Sequence, residues 1–427
     1  MSYSISIQMI TAIFLAVMFS LFGIFTASAV ELFYATSAVG RGLHDFHKTF
    51  EPWEKKTGNK VTLVPMPASS SDQFAQYRLW LSTGASEIDL YQTDVVWAGQ
   101  LANYFVDLKK PAQHLIKEHF PQVIESQIVN GKLVALPVFG DAPALYYRKD
   151  LLKKYKRAVP KTWQEMTETA KIIQNGERAA GNPNMWGYIW QGNSYEGLTC
   201  NTLEWIYSFN GGRILDKNGR ITVNNKQSNE ALQMVSSWIG TISPQGVLAY
   251  MEEETRGIWE LGNAVFMRNW SYVYPLSEEE GSAVKGKFDV APMPSGGPGM
   301  PAAATLGGWN VAVSKFSTKQ KEAIDLALYL ASYEGQKNIV MNGGNLPTIP
   351  SLYDNSEIAI KIPMVPRWKN VFLSTVARPS VQTKNKYNEV SSKIWSSVHD
   401  ALSGHKSIME NLDILETNLI DLKGSGW

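Results

Sequence analysis

The sequence predicts an α/β protein of two lobes with a ligand cleft between them. Residues 32–94 alternate strand and helix, and a second α/β region begins after the short, turn-rich "FGDAP" (Phe139 to Pro143). The chain has 427 residues, 44% of them hydrophobic, which is enough for two cores. In open α/β sheets ligands bind beyond the carboxyl ends of the strands, so two facing lobes put their strand ends on a shared cleft.

Element by element, "LFYAT" (Leu32 to Thr36) reads as a first strand, and a helix follows from about Leu43 to Lys56, stopping at Gly58. "KVTLVPM" (Lys60 to Met66) is a second strand, with Val61, Leu63 and Pro65 facing one way. "SSSDQFAQYRLWLSTG" opens on N-cap serines, sets Phe74, Tyr77 and Leu81 at helical spacing and ends at Gly84. "EIDLYQTD" (Glu87 to Asp94) is a third strand, giving a mainly parallel sheet. Two strand-like runs flank "FGDAP". Thr162 and Glu165 form a capping box for the next helix. A helix covers about Ser228 to Ile239, and "GNAVFMRNWSYVY" reads as strand, turn and helix start. The Pro/Gly-rich stretch before "ATLGGWNVAVS" is loop. Three helices follow near the end, after Thr318, from about Asn388 and from about His405.

Composition excludes several classes. The formal net charge of +1 provides no field for nucleic acid. Cys200 is the one cysteine, so no intrachain disulfide exists, and it reads as a small buried hydrophobe. No phosphate-binding loop, dinucleotide fingerprint or nucleophile elbow is present. Neither His44/His47 nor His114/His119 has the company of ligands that a zinc site needs, so no metal and no cofactor is expected. The first thirty residues are uncharged, with an apolar run from Ile10 to Phe25 and Ala27-Ser28-Ala29 as a cleavage site. This reads as a signal peptide over 1–29, although the expected basic n-region is missing. Export without disulfide or lipid anchor points to the periplasm.

Candidate site residues are acids at strand ends and aromatics beside them. Asp94 and Asp141 each close a strand-like run, and a carboxylate accepts hydrogen bonds from vicinal hydroxyls. The alternatives are turn capping, or an acid and base in a glycoside hydrolase, whose carboxyls stand about 5–10 Å apart. Trp97 follows Asp94; Trp190, Tyr195 and Glu196 surround Gly192; Trp270 and Tyr272 lie in "RNWSYVY". The chain holds 14 Trp, more than cores require, and indole faces stack on the apolar faces of sugars. Trp163, Trp205 and Trp238 follow helix patterns and belong to the core. Arg378, in "STVARPSV", offers a fork of donors or is a surface residue. In "ATLGGWN" (304–310), Gly307 and Gly308 mark either a strand bend beside a core Trp309 or a wall where ligand meets backbone and ring.

Long stretches of the chain resemble the extracellular solute-binding proteins of ATP-driven sugar importers, most closely the trehalose/maltose-binding type. The similarity runs through "DVVWAGQLANYFVDL", "KLVALPVFGDAPALYYRKDLLKKY", "NPNMWGYIWQGNSYEGLTC", "RNWSYVY", "VKGKFDVAPMP", "ATLGGWNVAVSK" and "ARP", in that order. It implies a two-lobed periplasmic-binding-protein fold, with lobe 1 over 30–140 and 311–345 and lobe 2 over 141–310 and 346–427. It implies a monomeric, non-catalytic receptor that closes on a disaccharide and delivers it to the transmembrane subunits of an ABC permease. Carried over residue by residue, its ligand contacts fall on Ser70, Asp94, Asp141, Trp270, Gly308, Trp309 and Arg378; Trp97 and Tyr195 join them as neighbouring aromatics. The chain departs from the family near Arg41 and His44, where the ligand-binding acid is replaced with Asp45 one step on, at Phe74 to Gln76, and at Phe139, which lacks a hydroxyl. Those departures leave the sugar open among α-glucosides, sucrose, another oligosaccharide or a polyol-like ligand.

Overall fold

The computed structural model describes residues 29–37, 39 and 42–427. Residues 1–28 of the expected export signal over 1–29, Arg41 and the side chain of His44 lie outside the described residues. Among the described residues no helix is long and apolar enough to cross a membrane.

Two separate sheets organise the chain. In the first, β1 (Glu31–Ser37), β2 (Lys60–Met66), β3 (Leu90–Asp94), β4 (Leu136–Asp141) and the late strand Gly307–Val313 stand in the order β2-β1-β3-(307–313)-β4. The second contains β5 (Ala144–Arg148), β6 (Trp186–Ile189), β7 (Ala264–Asn269) and β8 (Phe288–Ala291), in the order β8-β5-β7-β6. The strand Gly307–Val313 is β9. Only Ala142 and Pro143 separate β4 from β5, so the chain changes lobe in two residues. It returns between β8 and β9. This is the two-lobed periplasmic-binding-protein architecture, with mixed sheets.

The parallel pairs β1–β2 and β1–β3 match the alternation read from the sequence. β9 differs: it inserts antiparallel between β3 and β4, so the sheet is mixed rather than mainly parallel. A strand arriving from the other lobe enters from the opposite end, which local periodicity cannot foresee. β9 pairs in the first sheet from Gly307 onward, four positions before the expected return at 311.

Local chemistry explains most boundaries. The expected helix over 43–56 is two, Gly42–His47 and Glu51–Thr57, because Pro52 starts a new first turn. Gly58 closes the second in the left-handed region, at φ +77°. Ser69 caps the helix Ser70–Ser82 by accepting from the Asp72 amide. In β2, Val61 is buried but Pro65 is exposed, because the strand lies at the sheet edge. Thr162 caps Trp163–Ala179 as expected, whereas the Glu165 carboxylate accepts from the Lys161 amide instead of closing the box on Thr162. The helix Gln320–Ala331 buries Ala323, Leu326, Ala327, Leu330 and Ala331 on one stripe. The helices Tyr333–Gly343, Ser356–Lys361 and Met364–Leu373 come between it and the two last helices, Tyr387–Leu402 and Ile408–Lys423. Trp163, Trp205 and Trp238 pack together in the core of the second lobe.

Candidate functional site

The register of β9 builds one wall of a cavity between the lobes. Trp309 lies opposite Asp94 on β3 and Phe139 on β4, and Gly307 lies opposite Asp141. The acids that close β3 and β4 are thereby brought beside the glycine pair. Gly308 adopts φ +139°, and a Cβ there would stand 2.9 Å from the Phe139 carbonyl oxygen. A Cβ on Gly307 would stand 2.7 Å from Cζ3 of Trp270, so the missing side chain makes room for an indole from the second lobe. The chain bulges between Trp309 and Asn310. Both readings of "ATLGGWN" are therefore present in one place: a strand irregularity, and a bare backbone wall facing a cavity.

The cavity has a volume of about 160 Å³. Ser70, Asp94, Asp141, Tyr195, Trp270, Gly308, Trp309 and Arg378 all line it. Trp97 does not. It is 2% exposed and packs edge-on against Trp309, ring centroids 5.7 Å apart at 86°. The helical turn after Asp94 aims it into the first-lobe core, where it braces the Trp309 ring. Trp190 is likewise core, crossing Trp205 at 5.0 Å.

Arg378 is not a surface residue; it is 4% exposed and bridges the lobes. Its Nη2 donates to Asp94 Oδ1 at 2.8 Å and its Nη1 to Glu196 Oε1 at 2.8 Å, with a further contact to Asp94 Oδ2 at 3.3 Å. Glu196 starts the helix Glu196–Ser208 and also accepts from Ser391 Oγ at 2.7 Å and from the Tyr387 hydroxyl. Its amide donates to Ser71 Oγ of the first lobe at 3.2 Å. Burial pushes the Glu196 carboxyl above its ordinary range, although Arg378 opposes this.

Asp141 has a different environment. Its recorded bonds, from the Ala142 amide at 2.9 Å, the Ser271 amide at 3.2 Å and Ser271 Oγ at 2.8 Å, all fall on Oδ1. Burial raises this carboxyl to about 6, with the Ser271 and Ala142 donors pulling the other way. Glu252 accepts from the Tyr195 hydroxyl at 2.7 Å and from Trp270 Nε1 at 3.3 Å, and burial raises it as well.

Sequence reasoning left Glu252, Gln92, Asn345 and Cys200 out of the site, yet each lines the cavity. Asp45, the acid one step beyond the departure from the family pattern, lines it too. Glu252 had a usable signal: it opens a helix whose first turn is all acidic, Glu252 to Glu254. Gln92 had only its place two residues before Asp94, on the same side of the strand. Cys200 is 2% exposed and burial pushes its thiol up to about 12, so it remains protonated.

Residues 48–364 match the family model described as bacterial extracellular solute-binding protein. A probable ABC transporter-binding protein of Deinococcus radiodurans is 45% identical over 404 residues, covering 94% of this chain and 96% of that protein. The solved maltose-bound MalE3 of T. maritima superposes with a TM-score of 0.87 at 35% identity, over 92% of this chain and all of that one. A solute-binding protein of Thermotoga lettingae bound with alpha-D-tagatose superposes at 0.81 with 21% identity, covering 92% of this chain and 100% of its own, and shares the fold. These are binding proteins, not enzymes, which removes the hydrolase alternative for Asp94 and Asp141. The chain belongs to the bacterial extracellular solute-binding proteins and is a substrate-binding protein of an ABC transporter.

Proposed function

We propose that the protein captures an α-glucoside disaccharide of the trehalose or maltose class and presents it to the transmembrane subunits of an ABC permease. It acts as a periplasmic monomer after removal of the signal segment. The observation that carries this reading is a cavity with two half-buried indoles, Trp270 and Trp309, and acceptor carboxylates beside them. A sugar ring has an apolar face for an indole and a rim of hydroxyl donors for carboxylates. Asp141, through Oδ2, and Glu252 accept from those hydroxyls; Ser70 and the backbone at Gly308 add shorter-range contacts. Arg378 has a second role besides donating to ligand, since it ties Asp94 to Glu196 across the cleft. The maltose bound by the T. maritima neighbour supports the α-glucoside class.

The moving bodies are residues 30–141 with 307–345, and 142–306 with 346–427, each built on one sheet. Ligand bound between them shifts the population toward the closed form that the permease engages. Tryptophan fluorescence titrations with trehalose, maltose and sucrose test the assignment. A saturable change with at least one of them, the sugar being recovered intact, is the expected result; no response to any α-glucoside refutes it.

A further inference from the structure

Trp270 is half-buried, with neighbours beneath one face and at two edges of its ring. Beneath the ring, the Arg268 guanidinium carbon lies 4.5 Å from the ring centroid. Arg268 is in turn fixed by Glu204, at 2.6 and 3.1 Å, and by Gln191 at 3.0 Å. That ion pair is fully buried, and Glu204 neutralises the Arg268 charge. At the pyrrole edge, Nε1 donates to Glu252 at 3.3 Å. At the opposite edge, Cζ3 and the Asp141 Cβ lie 2.7 and 3.4 Å from the point where a Gly307 Cβ would stand. A carboxylate therefore stands at each end of the open indole face.

The cation that acts on both carboxylates is Arg268, beneath the ring, and its ion pair is with Glu204. Their recorded partners are hydroxyls, amides and one indole N–H, and neither forms an ion pair among the described residues. Among the described residues Arg378 is the one arginine lining the cavity and no lysine lines it, and Asp94 and Glu196 already hold that arginine. Asp45 is paired with Lys48. The Trp270 end of the cavity therefore has acceptors and negative charge in excess.

We propose that this end is a subsite for a protonated amine, so that the preferred ligand is a basic glycoside in which an ammonium replaces one sugar hydroxyl. The proposal rests on the reading that the cavity takes a saccharide. An ammonium fills the place of a hydroxyl, donates in the same directions and adds positive charge where two carboxylates share one arginine that Glu204 already pairs. Charge-assisted hydrogen bonds are about twice as strong as neutral ones. Anionic saccharides, such as uronates and sugar phosphates, meet repulsion at the same place.

The test is calorimetry at pH 7 and low salt. The ligands are whichever of trehalose and maltose binds, its 2-, 3-, 4- and 6-aminodeoxy derivatives, and a glucuronosyl analogue. At least one amine should bind about tenfold more tightly than its neutral parent, and the uronate should give no heat. The ratio of amine to neutral affinity should fall in Glu252→Gln and Asp141→Asn, and in 0.5 M salt. Both substitutions are close in shape to the natural side chain, and the salt series needs neither. If the neutral sugar binds and every amine binds no more tightly, the proposal fails while the saccharide reading stands. If an amine preference survives both variants, it arises elsewhere and the subsite is wrong. If no saccharide of any charge binds, both readings fall.

Discussion

Removing Arg378 is the perturbation with the most calculable outcome. Arg378→Ala deletes two contacts of 2.8 Å and one of 3.3 Å to buried carboxylates and leaves Asp94 and Glu196 together without a counter-charge. Breaking a buried pair from one side costs about 3–5 kcal/mol. Some relief exists, because Glu196 keeps Ser391 and Tyr387 as donors and Asp94 keeps the Val96 amide at 3.2 Å. The low end, about 3 kcal/mol at pH 7, is therefore expected. Burial already raises Glu196, so acid conditions protonate it and the penalty should shrink as the pH falls. Urea unfolding followed by tryptophan emission measures this. Arg378→Ala combined with Glu196→Gln should recover at least about 1 kcal/mol relative to additivity. A penalty below about 1 kcal/mol, unchanged by pH and additive with Glu196→Gln, would refute the buried bridge.

Three further outcomes follow from the geometry. Trp309→Ala should weaken sugar binding by about 1–3 kcal/mol if stacking on a sugar resembles stacking on other flat ligands, and calorimetry with an unchanged dissociation constant would return Trp309 to a purely structural role. Gly308→Ala places a Cβ at φ +139° and 2.9 Å from the Phe139 carbonyl oxygen, so it should destabilise by about 1–3 kcal/mol, read as a lowered unfolding midpoint. Asp141 is raised from about 3.8 to about 6, so between those values the folded chain retains a proton that the unfolded chain has released. Its contribution to stability therefore falls as pH rises through that window, by about 3 kcal/mol in total. The ionised carboxylate is the stronger acceptor for sugar hydroxyls, so sugar affinity should rise with pH through about 6. Asp141→Asn should flatten its share of both profiles relative to the wild type, with the part due to Glu196 and Glu252 retained.

The sequence spoke most clearly where local chemistry decides the structure. Caps at Ser69 and Thr162, the stop at Gly58 and the stripe along Ala323 to Ala331 are local signals, and the structure follows them. Strand-end acids and flanking aromatics were visible at Asp94, Asp141 and Trp270 because side chains at strand ends face the cleft in such sheets. The antiparallel entry of β9 was not visible, because nothing in "GGWNVAV" encodes the direction from which it arrives. Trp97 and Trp309 are both indoles near Asp94, yet one is core and the other faces the cavity; only the register of β9 separates them. Arg378 could be read as a donor fork, but its engagement by Asp94 and Glu196 joins residues 284 and 182 positions away.

The most direct test of the account is a crystal structure grown with the tightest-binding α-glucoside. The account predicts density for the sugar between Trp270 and Trp309, with a hydroxyl within hydrogen-bond distance of Asp141 Oδ2 and another at Glu252. A sugar bound elsewhere, or a cavity holding only water at saturating sugar, would contradict it.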